Sequence, residues 1–201
     1  MPRVFISPPL LRPLLVFLAI LGCSPEEPAA PLPPLELTVT AGSIPADKEP
    51  IVWLVEKDDV RLVNAPQGGH VLHIAARMEG LRTKRAEIRA QLRHPDTRAI
   101  EAEEARTINV VESSPGVFES KPDSLSDVAH IPVCPNYGDR DILDQEWLLE
   151  VTASEIPGRA GTGKTELRVT PRCTHTDPKT QALCQCECAA NYVLGKCGGG
   201  G

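Results

Sequence analysis

The sequence of 201 residues predicts an all-β fold, a β-sandwich with a short disulfide-rich C-terminal tail, on three observations. Apolar and polar residues alternate with period 2 over much of 35–169, the spacing of a strand with one buried face. Turn residues (Gly, Pro, Asp) interrupt the alternation every ten or so positions, as short strands with tight connections require. Four of the seven cysteines crowd into residues 184–197, beyond the last alternating stretch.

The strands are expected in this order. Leu35, Leu37 and Val39 alternate with Glu36, Thr38 and Thr40, and an apolar stretch at 51–55 surrounds Trp53. Val60, Leu62 and Val63 follow an Asp58-Asp59 turn. After the turn at 66–69, residues 70–78 place Leu72, Ile74, Ala76 and Met78 on one face. Ala86, Ile88, Ala90 and Leu92 alternate with Glu87, Arg89, Gln91 and Arg93, and a turn at 94–97 leads into a return segment reaching Val110 and Val111. Further strands are expected at 117–118, 128–133, 147–153 and 167–169. Residues 82–106 are also rich in Ala, Glu and Arg, good helix formers. The unbroken alternation of 86–93 and the interruption at Pro95 favour two strands and a hairpin instead. The whole pattern resembles an immunoglobulin-like or fibronectin-like sandwich.

The N-terminus carries a different signal. Arg3 and Arg12 precede the short apolar run 14–21, too short to span a bilayer, and Gly22-Cys23 closes it. A charged start, an apolar middle and a cut before a cysteine resemble the lipobox of bacterial lipoproteins, with Ile20 and Leu21 as mild departures. The resemblance implies acylation of Cys23 by diacylglycerol, removal of residues 1–22 and acylation of the new N-terminus. Several acyl chains, each buried methylene contributing about 0.8 kcal/mol, make a near-permanent tether, so the lipid bilayer is the expected partner at this end. Ser24, rather than Asp, after the acylated cysteine implies outer-membrane delivery. Residues 23–34, with Pro25, Pro28, Pro31, Pro33 and Pro34, read as a semi-rigid spacer that lifts the domain off the lipid.

Removing residues 1–22 from 201 leaves 179, with 19 basic residues against 27 acidic ones, a formal charge of −8. The mature aromatics are Trp53, Phe118, Tyr137, Trp147 and Tyr192. An acidic chain with so few stacking side chains provides no footprint for a phosphate backbone, so nucleic acid is excluded as an expected partner.

Apart from Cys23, six cysteines remain, Cys134, Cys173, Cys184, Cys186, Cys188 and Cys197, an even number in an exported chain. Three disulfides are expected. Cys134 and Cys173 bracket the last part of the sandwich and are expected to pair, leaving the pairing of the other four open. The tail pattern C-x-C-x-x-N-Y-x-x-x-x-C at 186–197 resembles the C-terminal half of an EGF-like module. That resemblance covers about 14 residues from Cys184 and implies a Cys188–Cys197 bridge. The alternative is zinc or copper held by Cys184, Cys186 and Cys188 with His175 or Cys197. Oxidising surroundings favour disulfides, so neither a metal nor another cofactor is expected.

Residues 158–165 match G-x-x-x-x-G-K-[ST] through Gly158, Gly163, Lys164 and Thr165. A phosphate-binding loop needs a helix directly after it, whose N-terminus donates to the phosphate. Here residues 166–170 alternate like a strand and Pro171 stops them, so the match is read as a decoy within a strand-to-strand loop. The acids at 139–146 lack the oxygen ligand and glycine of a calcium loop, with Leu143 and Asp144 at those positions. His70 and His73, three apart on a strand, face opposite sides and do not share a metal; His130 and His175 stand apart in sequence, although folding can bring His175 to the cysteines. No catalytic constellation is found. The expected organisation is a signal peptide at 1–22, a lipidated linker at 23–34, a sandwich at 35–173 and a Cys-rich tail at 174–201. The expected function is that of an outer-membrane lipoprotein acting as a binding or structural module, not an enzyme, with envelope proteins or glycans as partner classes. The alternatives are an accessory subunit of an envelope assembly or secretion machine, and a cryptic hydrolase or metal-binding tail.

Overall fold

A computed structural model of the chain describes residues 36–46, 49–121, 125–156 and 161–197. Cys23, the Pro-rich linker, Leu35 and Gly158 lie outside the described residues. Eleven strands form the fold: β1 Thr38–Ser43, β2 Val52–Trp53, β3 Asp58–Arg61, β4 Val63–Asn64, β5 His70–Glu79, β6 Arg85–Arg93, β7 Ile100–Ser114, β8 Val117–Ser120, β9 Ala129–Cys134, β10 Trp147–Glu155 and β11 Thr162–Arg172. A short 3-10 turn, Leu125–Asp127, precedes β9, and among the described residues one helix, α1 Pro178–Cys188, follows β11. The chain is all-β with a disulfide-rich C-terminal segment, as the alternation and the cysteine count predict.

β5 is the centre of the first layer. Along one edge it pairs with β1 and then β4, and along the other with β8 and then β9. β5 is buried on both faces, with nearly every side chain of 70–78 buried although His70, His73 and Arg77 interrupt its apolar residues. The second layer is built from β6, β10 and β11, with β3 added in parallel at its edge. The 15-residue β7 joins the layers: residues 100–109 pair with β6 and residues 110–114 with β8. A strand that changes sheets in this way turns the corner between two packed layers. The resulting sheet is continuous and open, with the order β2-β1-β5-β8-β7-β6-β10-β11-β3.

Alternation puts Ala86, Ile88, Ala90 and Leu92 of β6 inward, against Leu149, Val151 and Ala153 of β10 and Leu72, Ile74, Ala76 and Met78 of β5. The outward side chains of the second layer pair in ions: Glu150 meets Lys164 at 2.7 Å and Arg93 at 3.4 Å, and Arg98 bonds Glu166. The hairpin between β6 and β7 forms where the sequence places it. His94 Nδ1 accepts from the N–H groups of Asp96 and Thr97, and Arg98 takes a left-handed conformation with φ 62°. A smaller cluster of Ile44, Ala75 and Val128 covers the outer face of β5.

Candidate functional site

β11 delivers the chain to Cys173 and His175, and local chemistry then starts a helix. Asp177 is the cap: its carboxylate accepts from Thr180 N at 2.7 Å and Thr180 Oγ1 at 2.6 Å. Pro178 takes the first helical position, where its missing N–H leaves nothing unpaired. Gln181 anchors the approach, donating to Cys173 O and accepting from His175 N, both at 2.8 Å. At the far end Asn136 satisfies helix carbonyls, its backbone N–H donating to Glu187 O at 2.8 Å and its Nδ2 to Cys188 O at 3.3 Å.

Cys184 and Cys188 are four apart, so they lie on one face of α1, and that face is buried against the sheets. Cys184 bonds Cys173, and Cys188 bonds Cys134 at the end of β9; Cys186 bonds Cys197. All six expected cysteines are therefore in three disulfides, but the pairing is corrected in two places. Cys134 does not bond Cys173, and Cys188 does not bond Cys197. The physical reason is the helix. It lies between the two strand ends and offers each a cysteine from successive turns, while Cys186 points away toward the C-terminal loop.

The docked helix encloses a small polar cluster. His70 opens β5 at a bulge in its pairing with β9 and is 1% exposed. Its ring centroid lies 5.5 Å from that of His175, and its Nδ1 stands 3.0 Å from Glu187 Oε2. That approach falls short of hydrogen-bond geometry, since both atoms have no hydrogen-bond partner. Nε2 of His70 and Nε2 of His175 are likewise buried, without a hydrogen-bond partner among the described residues. Ligand-type atoms of His70, His175 and Cys184 lie within 4.8 Å of one another, and so do the sulfurs of Cys173, Cys184 and Cys188. Burial pushes His70 and His175 below the ordinary histidine range, with His70 and Arg61 adding repulsion at His175, and pushes Glu187 up. Both imidazoles are thus held neutral.

The other sequence motifs resolve differently. His73 faces away from His70 and packs against His130 with centroids 4.6 Å apart. Gly163, Lys164 and Thr165 lie in β11, so a strand and not a helix follows the decoy motif, and it runs on through Pro171 to Arg172 rather than stopping there. A Cβ at Gly163 would come within 2.5 Å of Leu37 O and 2.6 Å of Val39 Cγ2, which is why this position approaches β1 closely. The acids at 139–146 go separate ways: Asp141 accepts from Ala190 N at 3.0 Å, Asp144 bonds Arg172, and Glu146 meets Arg168 at 3.4 Å. A cleft of about 510 Å³ lies between the 94–96 turn and the 140–147 loop, lined by His94, Asp96, Arg140, Asp141, Glu146 and Trp147. Its charges are mixed, and its indole N–H already donates to Ile142 O at 3.1 Å. Among the described residues no helix is long and apolar enough to cross a membrane.

No protein-family model matches the chain, and no curated protein matches its sequence.

Proposed function

We propose that this chain is a lipid-anchored envelope protein, an outer-membrane lipoprotein whose β-domain acts as a binding or structural module and not as an enzyme. The observation that supports this reading most strongly is the cysteine arithmetic. Six of the seven cysteines pair among themselves, as in an oxidising compartment, and the odd one, Cys23, closes the apolar N-terminal run. A thiol left over in an exported chain calls for another fate, and acylation supplies it. The spacer at 23–34 then presents the sandwich away from the headgroups, where its end loops and edges meet envelope proteins or glycans.

Replacing Cys23 by alanine tests the anchor. The native chain is expected to pellet with membranes and resist an alkaline wash, while Cys23→Ala is expected in the soluble fraction with the domain still folded. A variant that pelleted and resisted the wash like the native chain would defeat the reading.

A further inference from the structure

The polar cluster beneath α1 takes no part in the proposed anchor. His70 is almost fully buried, yet its Nε2 has no hydrogen-bond partner, and Nε2 of the neighbouring His175 is in the same condition. Buried ring nitrogens without partners are uncommon because each forfeits its hydration. A ring nitrogen of each histidine lies within 4.8 Å of the Cys184 sulfur, which is bonded to that of Cys173.

We propose that His70, His175, Cys173 and Cys184 form a latent zinc site, closed while Cys173 and Cys184 are bonded and opened when a dithiol reductant cleaves that disulfide. The exchange balances. The dithiol gives two electrons and two protons, its own sulfurs join as a disulfide, and the Cys173–Cys184 bond becomes two thiols. Zinc then displaces both thiol protons to solvent and is held by two thiolates and two neutral imidazoles. Cys173 is the partly exposed member of the pair, and attack by the reductant starts there.

The arrangement fits this occupant on three counts. Two thiolates neutralise a divalent ion, so the site buries no net charge. Tetrahedral zinc with bonds of about 2.0 to 2.3 Å places its ligand atoms roughly 3.3 to 3.8 Å apart; the ligand atoms of His70, His175 and Cys184 already lie within 4.8 Å of one another, and the Cys173 sulfur, bonded to that of Cys184, is released beside them on reduction. Glu187 Oε2 stands 3.0 Å from His70 Nδ1, and a small turn of its carboxylate makes it the outer partner that orients a metal-bound imidazole, with Nε2 then free for the ion. This set differs from the one the tail spacing suggests, because Cys186 points away from it and Cys188 is bonded to Cys134.

The test is a Co²⁺ titration of the full chain, as isolated and after phosphine reduction under nitrogen, followed by zinc displacement. The reduced chain is expected to bind one Co²⁺ with thiolate charge-transfer absorption and tetrahedral d–d bands, both lost on adding one equivalent of zinc. The chain as isolated is expected to show neither. His175→Gln is expected to weaken binding at least tenfold, and Glu187→Gln about tenfold, as loss of an outer partner does. The double replacement Cys186→Ser and Cys197→Ser is expected to leave affinity and spectrum unchanged. The proposal is overturned if the reduced chain takes up no cobalt, folded or not. It is equally overturned if His175→Gln binds as tightly as the native chain, or if binding is lost in the Cys186/Cys197 variant.

Discussion

Replacing Cys134 and Cys188 together by alanine is expected to destabilise the domain by about 4 kcal/mol, the loop-closure value for a bridge between residues 54 apart. The double replacement leaves no unpaired thiol to react elsewhere. The effect is large because this bridge spans 54 positions of sequence, where each of the other two spans 11. It joins the end of β9 to the last residue of α1, so without it the helix is held to the sheets by Cys173–Cys184, by Asn136 and by the burial of one face. With a domain stability of about 5–15 kcal/mol, a loss of this size is a large fraction of the total. Urea unfolding of the oxidised variant against the oxidised native chain measures it, and a loss under 1 kcal/mol would show that the bridge does not constrain the unfolded chain as described.

Leu149→Ala is expected to cost about 3–5 kcal/mol, at the upper end for a truncated core side chain. Leu149 is fully buried in the middle of β10, and its neighbours across the ladder are Leu92 on β6 and Leu167 on β11. Three leucines in one row leave a cavity with rigid backbone on both sides, so the site cannot collapse around the lost atoms. Exposed Val55→Ala on the β2–β3 connection provides the contrast, with a change within about 0.5 kcal/mol. Equal effects at the two positions in thermal or urea unfolding would contradict the packing described.

Much of the fold was legible because alternation is a local property. β5, β6 and β10 fall where their apolar residues recur every second position, and the hairpin at 94–99 forms despite the helix-forming composition around it. The order of strands was not legible, since pairing joins residues far apart in sequence; nothing within 100–114 tells that one strand serves two layers. The helix was missed for another reason. Its apolar face consists of little more than Cys184 and Cys188, so the cysteines read as a disulfide framework, and the Asp177-Pro178 start with Thr180 beside it has no apolar periodicity after it to mark a helix. Missing the helix is what misplaced the bridges, because Cys134 and Cys173 each reach a partner only where α1 docks. The candidate site shared that fate. His70 and His175 lie 105 positions apart, and the docked helix brings them to the Cys184 sulfur.

The claim on which the account rests is that Cys23 carries lipid and the other six cysteines are oxidised, and intact-mass analysis of the native chain purified from membranes tests both parts at once. The predicted result is a chain that begins at Cys23, carries the added mass of a diacylglycerol and a further acyl group, and lacks six hydrogens. A chain that retained residues 1–22 with an unmodified Cys23 and free thiols would contradict it.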